Sequence, residues 1–251
     1  MRLYFSPYTD AVKNAALEEQ LYRNGDISLL FYRNAPSVII GRNQNPFKEV
    51  CIPWCAKHNI PIIRRISGGG AVYHDSGNLN YAFIVPKKGC ELDDYIGIVV
   101  AAINNIGIGR AEISGQHGIF IDGLKCSGSA FAIGAQFVLV HGCILVDTDL
   151  DDLREALRQP TYEFRGRSVE SVRAHVTNLT RFVPSITTEI LQNAIIAEAS
   201  KRMPLEVAEM PPIEQETAKK YSDDYWSYGN TPAFTVIING TPFHITKGRW
   251  P

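Results

Sequence analysis

The segment RRISGGGAVYHD at residues 64–75 places three successive glycines between stretches of strand-forming residues. A glycine run is entropically unfavourable, so this loop must need exposed backbone where side chains would otherwise stand. Its N–H groups can hold an anion, and Arg65 offers a planar, permanently charged fork for phosphate or carboxylate. No Gly-Lys-Ser/Thr ending or following helix fits a common nucleotide loop. The segment predicts an anion site, with a tight turn beside two solvated arginines as the alternative.

A lysine next to a second run of small residues is the other candidate for chemistry. Lys125 precedes SGSA at residues 127–130 and follows a predicted hairpin turn at Asp122 and Gly123. Small residues let the backbone approach a ligand closely while the lysine reaches the same ligand. Taken alone, this segment favours a solvated surface lysine.

Taken together, these segments resemble the lipoate–protein ligase A family of the biotin and lipoate protein ligase superfamily. The resemblance rests on residues 64–75 with Gly77 and Asn78, and on KCSGSA at residues 125–130. It continues through HGCIL at 141–145, SVESVRAHVTNL at 168–179 and WSYGNTPAF at 226–234. It therefore covers nearly the whole chain in order.

The resemblance implies a fold, an activity and a site. The implied fold is α/β, with a mixed, largely antiparallel sheet flanked by helices, like the catalytic domains of biotin ligases and class II aminoacyl-tRNA synthetases. The implied activity uses ATP and Mg²⁺ to activate lipoate as lipoyl-AMP, with Lys125 as the catalytic residue. Arg65 and the stretch from Gly70 to Tyr73 would hold the nucleotide. The full implied binding set is Arg65, Ser67, Gly68, Gly69, Gly70, Ala71, Val72, Tyr73, His74, Lys125, Gly128 and Ala130.

The acyl group would pass to a lysine of an acceptor protein. The implied acceptors are apo lipoyl domains of 2-oxoacid dehydrogenase complexes or the glycine cleavage H protein, and a separate accessory protein is a further implied partner. We expect a catalytic domain at residues 1–203, and a connection with the truncated start of a C-terminal accessory region at 204–251. Family ligases carry an Asn-Asp pair where this chain has QHG at residues 116–118. A transferase that performs only the second step, or a non-catalytic lipoyl-binding relative, therefore stays open.

A cysteine nucleophile is the basis of another alternative, because related acyltransferases form a thioester. Cys126 is the candidate beside Lys125, but strand alternation points the two side chains to opposite faces. A buried structural thiol is therefore favoured. The five cysteines are an odd, scattered set, which is typical of reduced thiols and gives no metal site.

Three features near the site leave choices open. His74 orients the loop or is a satisfied core residue, and Asp75 is expected to cap the turn that leads to Asn78. A basic cluster at residues 165–173 could meet an acidic acceptor, but pairing with acidic residues is favoured. The cluster is Arg165, Arg167 and Arg173, and the acidic residues are Asp149, Asp151, Asp152 and Glu155.

The net charge of −1 argues against nucleic acid as a partner, although it leaves a local basic patch open. No apolar run is long enough for a membrane span, and the first residues lack the pattern of a signal peptide. We therefore predict a cytoplasmic protein.

Hydrophobic periodicity and turn residues predict the elements that must position these groups. Helices are expected at 10–23, 93–105, 149–157 and 188–202. Strands are expected at 27–33, 37–41, 61–66, 71–74, 79–85, 119–121, 124–126, 137–146, 234–239 and 243–246. Pro204, Pro211 and Pro212 lie in an acidic stretch that predicts a surface connection.

Overall fold

The apolar runs form three β-sheets in the computed structural model, which describes residues 1–249. The strands are β1 (Arg2–Phe5), β2 (Ser28–Tyr32), β3 (Ser37–Ile40), β4 (Ile62–Arg64), β5 (Val72–His74), β6 (Asn78–Pro86), β7 (Glu112–Ser114), β8 (Gly118–Ile121), β9 (Leu124–Ile133), β10 (Phe137–Leu145), β11 (Glu163–Gly166), β12 (Glu206–Val207), β13 (Phe234–Ile238) and β14 (Thr241–Ile245). The helices are α1 (Ala11–Arg23), α2 (Pro46–Glu49), α3 (Ile52–Lys57), α4 (Leu92–Ile103), α5 (Leu150–Ala156), α6 (Thr188–Ser200) and α7 (Gln215–Ser222).

The large sheet has eight strands in the order β12-β1-β2-β6-β10-β9-β8-β7. The pairs at the β12 edge are parallel, and every pair from β2 to β7 is antiparallel. A second sheet has the order β4-β3-β5, and a third has the order β11-β13-β14. The expected mixed, largely antiparallel sheet flanked by helices is confirmed.

Helices cover both faces of the large sheet because alternate strand residues are apolar on each face. On one face, Phe83 packs with Ile98 of α4 and Ile195 of α6 in the largest core cluster. On the other face, Leu17 of α1 packs with Ala82. No helix within residues 1–249 combines the length and apolarity that a membrane crossing needs.

The predicted elements are largely confirmed, although strands β1, β7, β11 and β12 were not predicted. Asp10 caps α1 by accepting from the amides of Val12 and Lys13, and Asp122 and Gly123 take the positive φ angles of a tight hairpin turn, 50° and 76°. Helices α2 and α3 were not predicted. Each has a proline in its first turn, where a missing N–H does no harm.

The part of the chain after residue 203 packs on the rest of the molecule. Strand β12 pairs with β1, α7 lies against α1, and β13 pairs with β11. Helix α7 was not predicted; it follows the prolines of the predicted surface connection and buries Thr217 and Tyr221. The boundary expected at residue 203 stays a prediction.

Candidate active site

Arg65 lies at the base of the glycine loop and is 7% exposed. Its Nε donates to Ser67 Oγ at 2.9 Å, and its Nη2 donates to the carbonyl of Gly70 at 2.8 Å. Its Nη1 donates to the carbonyl of Ile39 at 3.1 Å. Burial lowers the pKa of Arg65 to about 10, so the guanidinium keeps its charge at neutral pH. The side chain therefore holds the loop in shape through main-chain carbonyls.

Arg64 is buried as well, and it ties the loop region to the C-terminal part of the chain. Its guanidinium donates to the carbonyls of Gly41 at 3.1 Å, Gln44 at 2.8 Å and Ser227 at 2.7 Å. Burial lowers the pKa of Arg64 to about 10. Since both arginines are buried, the alternative of a solvated arginine pair is wrong.

Two glycines, Gly41 and Gly69, allow the backbone of the glycine loop to pass close to the end of strand β3. A Cβ on Gly41 would lie 2.1 Å from the carbonyl oxygen of Gly69, and Gly69 has a φ of +83°. No other residue type fits the first position, and few adopt the second conformation. The glycine loop is thus held against strand β3 by backbone contact.

A buried chain of polar side chains supports the loop from below. The hydroxyl of Tyr32 donates to Glu18 at 3.1 Å, and the Glu18 carboxylate lies 2.9 Å from His141 Nδ1. The Nε2 of His141 then lies 2.7 Å from Ser67 Oγ. This chain connects helix α1 and strands β2 and β10 to the loop.

Lys125 is held by its backbone and leaves its side chain uncommitted. Its amide donates to the carbonyl of His175 at 2.8 Å, and its carbonyl accepts from Thr177 at 3.0 Å. The Lys125 side chain lies next to Gly118 and Gly128. A Cβ on Gly128 would lie 3.6 Å from Lys125 Nζ, and a Cβ on Gly118 would lie 3.1 Å from Lys125 Cε. Within residues 1–249, the ammonium group has no hydrogen-bond or ion-pair partner.

The segment at residues 116–118 makes room for Lys125 and supplies no carboxylate. A Cβ on Gly118 would also lie 2.8 Å from the ring of Phe120. His117 adopts a φ of 56° and pairs with Asp93 at 2.7 Å. A side chain at position 118 would therefore contact both Phe120 and Lys125.

Two cavities meet at Lys125. The loop cavity, of about 440 Å³, is lined by Glu18, Tyr32, Gly69, Asn80 and His141 among others. The basic cavity, of about 560 Å³, is lined by leucines of α5 and by Arg154, Arg158 and Arg173. The residues that line both include Ala71, Val72, Lys125, Gly128 and Cys143.

The floor of the loop cavity is a row of directly paired residues on four neighbouring strands. Tyr32 pairs with Asn80, Asn80 pairs with Cys143, and Cys143 pairs with Gly128. Paired residues share one face of a sheet. Because neighbouring strands lie about 4.8 Å apart, Asn80 is about 10 Å from Gly128, beside which the Lys125 ammonium lies.

The predicted site residues gather around these cavities with two exceptions. Ser67 and Gly68 line neither cavity and instead contact Arg65. Tyr73 lines the basic cavity only. Since Arg65 and Gly70 line the loop cavity only, the set implied to bind the nucleotide is divided between the two cavities. The remaining predicted residues line the loop cavity alone (Gly69, His74, Ala130) or both cavities (Ala71, Val72, Lys125, Gly128).

Sequence reasoning missed several lining residues. His141 belongs to the HGCIL segment of the resemblance, which was a usable signal. Asn80 is a buried polar residue of strand β6, and Glu18 is a buried acidic residue of α1. Tyr32 and Cys143 carried no signal of their own.

Two predictions about neighbouring side chains have clear outcomes. Cys126 is fully buried, and burial raises its pKa to about 12, so the structural thiol is confirmed. The pairing expected for the basic cluster is wrong, since Arg165 pairs with Glu163 and Arg173 with Gln159.

The turn after the glycine loop is capped as expected. Asp75 accepts from the amide of Gly77 at 2.8 Å, and its other oxygen accepts from the amide of Asp149 at 2.8 Å. Its carbonyl accepts from Asn78 at 3.2 Å. Asp75 thus joins this turn to the start of helix α5.

The fold is that of lipoate–protein ligases. A lipoate–protein ligase A solved with ATP aligns at 28% identity and a TM-score of 0.76, over 90% of this chain and 97% of that one. A Thermoplasma acidophilum protein solved with lipoic acid aligns at 26% and 0.75, over 90% and 98%. The bipartite lipoate protein ligase of T. acidophilum, described with its E2 lipoyl domain, aligns at 28% and 0.72, over 90% and 95%.

The sequence itself shows the family. The family model described as lipoyl protein ligase A/B catalytic domain matches residues 10–200. Lipoate–protein ligase 1 of Staphylococcus aureus is 32% identical over 238 residues, which cover 90% of this chain and 72% of that protein. The chain belongs to the lipoyl protein ligase A/B catalytic domain family, so the resemblance drawn from its motifs is confirmed.

Proposed function

We propose that this chain is a lipoate–protein ligase, which makes lipoyl-AMP from lipoate and ATP and passes the lipoyl group to a lysine of a lipoyl domain. The observation that carries the proposal is the ammonium of Lys125, which has no partner within residues 1–249 and lies on the wall shared by two cavities. An adenylation reaction needs such an arrangement, because a carboxylate and a phosphate must meet at one cation.

The loop cavity is the place for the lipoyl chain. Its floor from Gly128 to Asn80 matches the length of an extended eight-carbon acyl chain, with the carboxylate at Lys125. Burial of that chain gives about 5 kcal/mol at roughly 0.8 kcal/mol per methylene. Micromolar binding needs about 8 kcal/mol, and a charged hydrogen bond at Lys125, worth about 1.5–3 kcal/mol, supplies most of the difference.

The basic cavity is the place for ATP. Leu150, Leu153 and Leu157 form an apolar wall suited to a nucleobase, and arginines lie at the same opening. Arg154 and Arg158 keep exposed ion pairs with Asp151 and Glu155. Exposed pairs of this kind are weak, so a phosphate can replace the carboxylates.

The chemistry then needs no protein nucleophile. A carboxylate oxygen of lipoate attacks the α-phosphorus, the bond to the bridging oxygen breaks, and pyrophosphate leaves. The neutral amine of the acceptor lysine attacks the acyl carbon, AMP leaves, and the amine proton goes to solvent. Lys125 stabilises the negative charge that develops in both steps and holds the reacting groups together.

Mg²⁺ enters the proposal as part of the MgATP substrate. Within residues 1–249, no three His, Cys, Asp or Glu side chains are grouped to hold a metal ion. Mg²⁺ keeps several waters and is commonly bound through substrate phosphates, so a protein cage is not required. The ion would offset phosphate charge.

The similar proteins support the partners that we assign. One similar ligase is bound with ATP, the similar T. acidophilum protein is bound with lipoic acid, and the bipartite ligase acts with its E2 lipoyl domain in one lipoylation system. We assign lipoyl domains of 2-oxoacid dehydrogenase complexes or the glycine cleavage H protein as acceptors, with an accessory protein as an added partner. We assign residues 1–203 as the catalytic domain, and the cytoplasm as the compartment, because the cysteines within the described chain are free thiols.

Exchange of labelled pyrophosphate into ATP tests the first step. We expect exchange that requires lipoate and Mg²⁺ and stops when either is left out. Exchange that is absent with lipoate, while preformed lipoyl-AMP still modifies a lipoyl domain, would replace the ligase with a transferase. No reaction from either donor would favour the non-catalytic binding protein.

A further inference from the structure

The loop cavity is lined by His74, whose Nε2 has no hydrogen-bond partner within residues 1–249. Asn14 Nδ2 donates to the carbonyl of Tyr8 at 3.0 Å and to Asn34 Oδ1 at 2.8 Å. Asn34 therefore presents its Nδ2 to His74 Nδ1, 3.0 Å away. A carbonyl can only accept, so this chain of bonds fixes both amides and makes His74 Nδ1 an acceptor.

His74 then carries its single ring hydrogen on Nε2. Burial, with a smaller contribution from the charge of Arg65, lowers the pKa of His74 to about 3, so the ring is neutral at neutral pH. The Nε2 atom is buried and has no hydrogen-bond partner within residues 1–249. The residue is 4% exposed and lines the loop cavity.

Asn80 supplies the complementary acceptor. Its Nδ2 donates to the carbonyl of Tyr32 at 3.3 Å, which fixes the orientation of the amide. Its Oδ1 is buried and unpartnered within residues 1–249. Asn80 is 1% exposed and lies in the floor of the same cavity. A buried unpaired polar group costs about 1–3 kcal/mol, so two of them at one cavity indicate a ligand that pairs with them.

We propose that His74 Nε2 and Asn80 Oδ1 form a subsite for the sulfur end of the acyl chain. This inference rests on the proposed function, which assigns the loop cavity to a lipoyl chain. A sulfur atom is a weak acceptor for the His74 N–H, and a thiol is also a weak donor for the Asn80 oxygen. The subsite selects acids that bear sulfur over octanoate, and the dithiol over the cyclic disulfide.

The order of preference follows from counting the pairs that each acid can make. Octanoate ends in a methyl group and leaves both atoms unpaired. The cyclic disulfide of lipoate accepts from His74 but has no hydrogen for Asn80. Dihydrolipoate accepts from His74 through one sulfur and donates to Asn80 through a thiol.

Calorimetric binding of the three acids to the full chain, under anaerobic conditions, tests the subsite. We expect lipoate to bind about threefold, and dihydrolipoate about tenfold, more tightly than octanoate. His74→Asn keeps an acceptor for Asn34, but its shorter side chain places no donor at the position of Nε2, so it should remove the advantage of lipoate over octanoate. Asn80→Leu should remove the advantage of dihydrolipoate over lipoate.

Thr148→Val is the matched control, because Thr148 Oγ1 is also buried and unpartnered within residues 1–249 but lines neither cavity. It should leave both ratios unchanged. The subsite would be overturned if the unmodified chain bound octanoate as tightly as dihydrolipoate. It would also be overturned if His74→Asn and Asn80→Leu left the relative affinities for the three acids unchanged. Selective binding without acyl transfer would reject the ligase and keep the subsite. Binding of none of the acids would overturn both.

Discussion

The Nε2 atom of His141 lies 2.7 Å from the Oγ of Ser67. The same hydroxyl accepts from Arg65 Nε at 2.9 Å, and the other ring nitrogen of His141 contacts Glu18 at 2.9 Å. The shape of the glycine loop thus depends on a serine that is 1% exposed and touches neither cavity. Ser67 acts on the site through Arg65 and His141, so we regard it as a positioning residue.

Ser67→Ala should lower the free energy of unfolding by about 1–3 kcal/mol, because it leaves His141 Nε2 unpaired in a buried place. Urea denaturation at neutral pH measures the change. Ser200→Ala is the control: its hydroxyl donates to the carbonyl of Ile196 on an exposed helix turn, and its effect should stay within about 0.5 kcal/mol. Equal stability of the two variants would show that Ser67 does not support the loop.

Gly41→Ala should destabilise the protein by about 1–3 kcal/mol through overpacking. The added Cβ would lie 2.1 Å from the Gly69 carbonyl, so the glycine loop would have to move. Gly97→Ala is the matched control, because it makes the same substitution at a position in helix α4 where nothing lies within 4 Å of the added Cβ. It should stabilise the protein by about 0.5–1 kcal/mol. Thermal unfolding distinguishes the two, and a stabilising Gly41→Ala would contradict the close approach.

Cys143→Ala should retain acyl transfer within about threefold, since the chemistry proposed needs no protein nucleophile. Cys143 is the thiol that lies beside Lys125, yet burial raises its pKa and keeps it protonated. Steady-state transfer rates give the comparison, and acid trapping of the enzyme during turnover looks for a thioester. A trapped thioester on Cys143, lost together with activity in the variant, would establish the cysteine mechanism instead.

His74 should make stability fall as the solution is acidified. In the unfolded chain it takes up a proton near pH 6.5, but in the folded chain its pKa is lowered to about 3. Stability from this residue is therefore present above pH 6.5 and lost as pH falls towards 3. Between pH 7.5 and 5 the loss is about 2 kcal/mol.

Urea denaturation of the unmodified chain and His74→Asn at both pH values isolates that contribution. The unmodified chain should lose about 2 kcal/mol more than the variant. If both proteins lose the same amount, His74 is not held neutral in the folded state.

The local signals in the sequence predicted the local structure well. The Asp10 cap and the hairpin at Asp122 and Gly123 were predictable because each is specified by a few adjacent residues. The glycine loop was singled out by its own residues, whereas Lys125 was singled out only by the family resemblance.

The floor of the loop cavity was not predictable in this way. Tyr32, Asn80, Cys143 and Gly128 come from strands β2, β6, β10 and β9, whose order in the sheet is not their order in the chain. Only the register of these strands brings the four residues into one row. The alternation of side chains along β9 correctly predicted that Cys126 points away from the face of Lys125. It could not predict that Cys143, on strand β10, lies beside Lys125.

The central claim is that Lys125 joins an acyl cavity to a nucleotide cavity. Its most direct test is the intact mass of an apo lipoyl domain after incubation with this chain, lipoate, ATP and Mg²⁺, with parallel reactions that contain preformed lipoyl-AMP or an accessory protein. We predict a gain of one lipoyl group with the unmodified chain. The Lys125→Met variant should transfer the lipoyl group at least about 100-fold more slowly, with unchanged stability. Lys219→Met is the control, because Lys219 is an exposed lysine of α7, and it should transfer as fast as the unmodified chain. Full transfer by Lys125→Met would contradict the account.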